Sequence, residues 1–144
     1  MTTTWIVVAD ACRARLMSAH RPDGALREIG DLGNPEARLH EGDLVSDRGG
    51  RDSSRDGSTH GLDTGDKAKS ESADRFAAEV CERLEEGRRQ SAFSRLYVVG
   101  APAFLGLMRK HQSNALRGMI VGEVAKDITT QSLEQIRARL PQPL

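Results

Sequence analysis

Hydrophobic positions fall into short blocks whose period changes along the chain. Residues 3–9, Thr-Thr-Trp-Ile-Val-Val-Ala, are β-branched, aromatic and nearly all apolar, which predicts a central strand covered on both faces. Asp10-Ala11-Cys12 reads as a turn. Arg13 to His20 then alternates loosely, as a second strand returning antiparallel would. Arg21-Pro22-Asp23-Gly24 predicts a tight turn, with Pro22 presetting φ and Gly24 supplying a positive φ. Leu26 to Leu32 predicts a third strand at the edge of the sheet.

In residues 71–90 the period switches to 3.6. Ala73, Phe76, Ala77, Val80, Cys81 and Leu84 line one helical face, with Ser70 or Ser72 as candidate cap and Arg88 and Arg89 at the carboxyl end. Leu96-Tyr97-Val98-Val99 predicts a buried parallel strand feeding a helix that starts near Pro102. That helix carries Phe104, Leu105, Leu107 and Met108 and ends at Arg109-Lys110-His111. Met119 to Val124 predicts another buried strand. A last helix, capped by Thr129 or Thr130, holds Leu133, Ile136 and Leu140 and stops at Pro141. The expected fold class is α/β: one domain over residues 1–144, with a mixed five-stranded sheet. Three strands are antiparallel, and two parallel strands are added through helical crossovers.

Composition breaks this pattern once, between Ser46 and Ser70. Five glycines, five aspartates and five arginines or lysines stand there against two apolar residues, Leu62 and Ala68. Such a stretch buries too little surface to offset the entropy of ordering, which predicts a long flexible loop.

The 144 residues hold 21 Lys+Arg and 21 Asp+Glu, so the formal net charge is zero. A globally basic nucleic-acid coat and a globally acidic tail are excluded. Apolar runs are too short to span a bilayer, so no membrane association is expected. Met1-Thr2-Thr3-Thr4 leads straight into a strand without a basic-then-apolar leader, which points away from export. Cys12 and Cys81 stand in no metal-ligand spacing and are read as buried thiols in a reducing, cytoplasmic setting.

Several short motifs, taken in order, resemble the bacterial host attachment protein family. They are Trp5-Ile6-Val7-Val8-Ala9-Asp10 with Arg13-Ala14-Arg15-Leu16, Ser46-Asp47-Arg48-Gly49-Gly50-Arg51, Phe76-Ala77, Val98-Val99-Gly100-Ala101-Pro102, Leu105-Gly106-Leu107-Met108-Arg109, and Val124 with Lys126-Asp127-Ile128-Thr129. More distantly, the layout resembles the central domain of archaeo-eukaryotic class-1 peptide chain release factors, which implies a release-factor-like, ribonuclease H-like topology. In those factors a Gly-Gly-Gln loop precedes a long helix. Here Gly49-Gly50 holds the corresponding place and Arg51 stands where the glutamine would be. Arginine offers five donors and a fixed charge, which suits phosphate better than the placement of a water.

The resemblance implies a non-catalytic or weakly catalytic release-factor-like module that binds tRNA or ribosomal RNA through the Gly49-Gly50 loop, with the ribosome or tRNA as partner. The candidate ligand-binding residues are Arg48, Gly49, Gly50, Arg51 and Arg55 in the loop, with Arg109 and Lys110 beside His111 and Arg117 in a second basic cluster. A hydrolase acting on peptidyl-tRNA or RNA is one alternative, and a protein-interaction module in attachment to host cells is the other. Asp10 and Asp127, at strand ends, can meet at one sheet edge, where carboxylates can hold Mg²⁺, but no full acidic set is recognisable and they read more simply as turn and capping residues. His20, His40, His60 and His111 lack ligand spacing. No cofactor and no metal are expected, and the sequence sets no oligomeric state.

Overall fold

The computed structural model describes residues 2–21, 23–37 and 58–144, and of residues 58–66 the backbone alone. β1 (Thr4–Ala9), β2 (Arg13–Ala19) and β3 (Arg27–Gly33) form an antiparallel meander. α1 (Ser58–Arg89) leads to β4 (Arg95–Gly100). α2 (Pro102–His111) and the single turn α3 (Asn114–Arg117) lead to β5 (Ile120–Ala125), and α4 (Leu133–Arg139) follows. The sheet order is β3-β2-β1-β4-β5, with β4 parallel to both β1 and β5. This is the mixed five-stranded α/β sheet that the hydrophobic pattern predicts.

β1 lies at the centre, and all six of its residues are buried. Trp5, Val7 and Ala9 face α1 and α2, where Phe76, Val80, Leu84, Leu105 and Met108 complete one core layer. Ile6 and Val8 face the other way, towards Ile128, Ile136, Leu140 and Leu144. A strand covered on both faces has no polar side to alternate with, hence its continuous apolar run. The helix of residues 102–111 begins with Pro102, whose missing N–H is one the first turn would leave unpaired anyway.

Several expectations need correction. Residues 58–70 belong to α1, so the helix starts 13 residues earlier than the expected residue 71, and neither Ser70 nor Ser72 caps it. Helices propagate cheaply from a packed nucleus, and Lys67, Ala68, Lys69 and Glu71 are all good helix formers. The remainder of the expected loop, up to residue 57, lies outside the described residues. β5 is an edge strand with alternating exposure rather than a buried one, because among the described residues no sixth strand covers its outer side. The cap of α4 is Ser132, whose hydroxyl accepts from Gln135 N while the Gln135 side chain accepts from Ser132 N. That reciprocal pair outcompetes the two threonines before it. Gly24 donates its N–H to Arg21 O at 3.0 Å and has no positive φ, since the fourth residue of a turn needs none. Cys81 is buried but Cys12 is exposed at the β1–β2 turn.

Both edge strands contain a bulge. Leu16 pairs with Gly30 and Met17 with Glu28, which leaves Ile29 as the extra residue of β3. Leu96 pairs with Ile120 and Tyr97 with Gly122, which leaves Val121 as the extra residue of β5. These two are the exposed large aliphatics among the described residues.

Gly106 sits in the middle of α2, and a Cβ there would meet nothing nearer than Arg109 Nη1 at 4.0 Å. Gly106→Ala is therefore expected to stabilise the protein by roughly 0.5–1 kcal/mol, read as a higher urea midpoint at unchanged slope.

Candidate functional site

The carboxyl end of β1 is built around two short polar side chains. Asp10 Oδ1 accepts from Cys12 N at 2.8 Å and Arg13 N at 2.9 Å, which closes the β1–β2 turn. Its Oδ2 accepts from the Thr129 hydroxyl at 2.8 Å, tying the segment after β5 to the same corner. Asp10 is thus a turn-forming aspartate, and Asp127 is exposed. No group of three or more His, Cys, Asp or Glu among the described residues is placed to hold a metal ion.

Asn34 does the second half of this work. It is buried, and its amide nitrogen donates to Ala11 O at 2.9 Å and to Ser72 Oγ at 3.1 Å, while its Oδ1 accepts from Glu36 N. Ser72 of α1 is therefore level with the carboxyl end of β1. At the other end of α1, Gly87 lies against Trp5 at the start of that strand. A 32-residue helix is about 48 Å long against about 20 Å for a six-residue strand. Residues 58–71 run on past the carboxyl edge for about 20 Å. The chain thus leaves β3 and enters α1 on the side where open α/β sheets bind ligands.

Next to this corner a row of cations crosses from α1 to α2 and α3. Arg75 makes a two-pronged contact with Glu36. The neighbouring Asp74 accepts from Lys110 Nζ and shares a hydrogen bond with His111 Nε2, each at 3.0 Å. The His111 and Lys110 hydrogen bonds hold the Asp74 carboxyl below its ordinary range. Arg109 donates Nε and Nη2 to Glu123 of β5, at 3.3 and 2.6 Å. That carboxylate raises the Arg109 pKa, as Glu36 raises that of Arg75. Arg117 Nη2 completes the row with a 2.9 Å bond to Arg109 O. The pairs are not symmetric in depth. Side-chain exposure is 60% for Lys110 against 34% for Asp74, 52% for Arg109 against 27% for Glu123, and 57% for Arg75 against 43% for Glu36. The cations form the outer layer and the acids lie behind them.

Of the residues singled out in the sequence, Arg109 and Lys110 sit in the last turn of α2, within this row. Arg48, Gly49, Gly50, Arg51 and Arg55 lie outside the described residues. Sequence reading missed Arg75 and all three acids. They come from three separate elements, and no spacing in the chain announces their meeting. Cys81 offers no nucleophile: burial pushes its thiol up to about 12, and its Sγ donates to Met108 O at 3.4 Å.

Residues 5–140 match the model of a family described as "Protein required for attachment to host cells". The chain belongs to the host attachment family. The match takes in all of the sheet except Thr4, and the whole cation row. Among solved structures, this host attachment protein is similar to an archaeal translation termination factor. The two are 12% identical, with a TM-score of 0.49 over 92% of this chain and 32% of the other. The chain thus spans about a third of that factor's length. No curated protein matches it. No helix among the described residues is long and apolar enough to cross a membrane.

Proposed function

We propose that this host attachment protein is a non-catalytic module that binds structured RNA, tRNA or ribosomal RNA, by its phosphate backbone. The observation that supports this is the row Arg75–Lys110–Arg109–Arg117, with its cations outermost. Arg109 spends two of five guanidinium donors on Glu123, and Lys110 one of three ammonium donors on Asp74. Both side chains are more than half exposed, and phosphate contacts of this kind fix register on a nucleic acid. Arg48, Arg51 and Arg55, outside the described residues, carry the same chemistry in the sequence. Gly49 and Gly50 there let a backbone approach closely.

The test is a fluorescence-anisotropy titration of the intact protein with labelled tRNA and with a ribosomal RNA fragment, across a salt series. Arg109→Ala with Lys110→Ala is expected to weaken binding about tenfold and to lower the salt slope by about one to two. Arg51→Ala, and Gly49→Ala with Gly50→Ala, are each expected to weaken it severalfold. Binding unchanged in all of these variants overturns the reading. So does capture of a sulfated polysaccharide with no capture of RNA, which would place the row in attachment itself. Release of the acyl group from peptidyl-tRNA by the protein would convert the module into a hydrolase.

A further inference from the structure

We propose that Glu123 and Asp74 are built-in competitors for the anion that the cation row binds, so that the row is held partly masked. The inference rests on the proposed phosphate-binding reading and goes beyond it to how that affinity is set. Glu123 meets Arg109 side-on, one oxygen on Nε and the other on Nη2, which is the approach a bidentate phosphate takes to a guanidinium. The carboxylate occupies the edge of Arg109 that would otherwise receive the ligand. Asp74 holds Lys110 through a single oxygen, Oδ1, which it shares with His111 Nε2. Glu123 and Asp74 are each about half as exposed as the cation they face, so they stand between the protein and the side from which a phosphate approaches. Each also repels the ligand through a few ångströms. Holding the cations in place works in the opposite direction by sparing them side-chain entropy. Ion pairs this exposed restrain their partners only weakly, so the competition outweighs the preorganisation.

Neutral variants of the acids should therefore bind more tightly than the wild type. Glu123→Gln and Asp74→Asn are nearly isosteric, and each should tighten tRNA binding about two- to fivefold in the intact protein, with the double variant near the product. Glu134→Gln on α4 adds the same unit of charge on the opposite face of the sheet and should change affinity much less. In an Arg109→Ala background the gain from Glu123→Gln should largely vanish, which separates local competition from a general change in charge. Wild-type binding that is unchanged or weakened by Glu123→Gln and Asp74→Asn overturns the inference while leaving the RNA reading in place. Equal tightening by Glu134→Gln overturns it too. Absence of tRNA binding in the wild type and in every variant overturns the RNA reading, and the competition falls with it.

Discussion

Arg15→Ala is expected to cost about 2–4 kcal/mol of stability, because two carbonyls that turn inwards lose a charged donor at about 1–3 kcal/mol each. Arg15 is 8% exposed, yet every side of its guanidinium is used. Nε and Nη2 donate to the Glu28 carboxylate at 3.2 and 2.8 Å, and Nη1 donates to the carbonyls of Thr129 and Gln131 at 2.9 and 2.6 Å. The alanine leaves two inward carbonyls and a carboxylate without their donor, and it releases the segment that leads into α4. Arg15→Lys keeps the charge but not the fork, and should recover only part of the loss. Urea unfolding at neutral pH measures both, and a loss under about 1 kcal/mol for the alanine would contradict this account of the anchor. The same pair predicts a pH dependence. The Arg15 hydrogen bond lowers the Glu28 pKa from its ordinary 4.5. The folded state therefore binds that proton less readily than the unfolded state. The contribution is fully present above pH 4.5 and is lost as the pH falls through the lowered folded value. Glu28→Gln should be less stable than the wild type at neutral pH and show a flatter acid limb, with the two curves converging at the lowest pH. Glu28 is a third exposed, so solvent screening keeps this effect well below that of losing Arg15.

The second large effect is expected at Gly87. A Cβ there would lie 2.7 Å from Cη2 and Cζ3 of Trp5 and 3.1 Å from Phe93. The indole cannot swing aside: it is buried against Phe93 at a ring distance of 4.7 Å, with Arg83 stacked 5.5 Å from its centroid. Gly87→Val gains a few tenths of a kcal/mol in helix propensity but forces α1 away from the sheet, for a net loss of about 3 kcal/mol. A double-mutant cycle checks the cause. In a Trp5→Ala background, which itself costs about 3–5 kcal/mol, the penalty at Gly87 should shrink to under 1 kcal/mol. An undiminished penalty would trace it to the helix and not to the ring.

Much of this architecture was legible in the chain because the informative signals are local. The unbroken apolar run Trp5–Ala9 declares a doubly covered strand, and the spacing of Phe76, Val80 and Leu84 declares a helix and its buried face. β5 misled because its apolar residues are divided, Ile120 towards one core layer, Val124 towards the other and Val121 outwards, and no local rule separates an inner strand from an outer one. The amino-terminal extension of α1 was hidden because glycine and aspartate argue against a helix residue by residue, whereas propagation from the packed turns decides the outcome. Arg109 and Lys110 were visible as a cluster of charge, but their acids stand 36 positions upstream at Asp74 and 14 downstream of Arg109 at Glu123. Partners fixed by tertiary contact leave no trace in spacing.

The single-residue insertions at Ile29 and Val121 bear on how copies of the molecule meet one another. An outer strand with an even row of amides and carbonyls is a template onto which an identical strand can zip, and repeated zipping ends in fibres. Here both rims break step partway along and turn an aliphatic branch outwards at the break. A strand added at either side meets donors and acceptors out of phase at the bulge, which works against the stacking of copies in a concentrated solution.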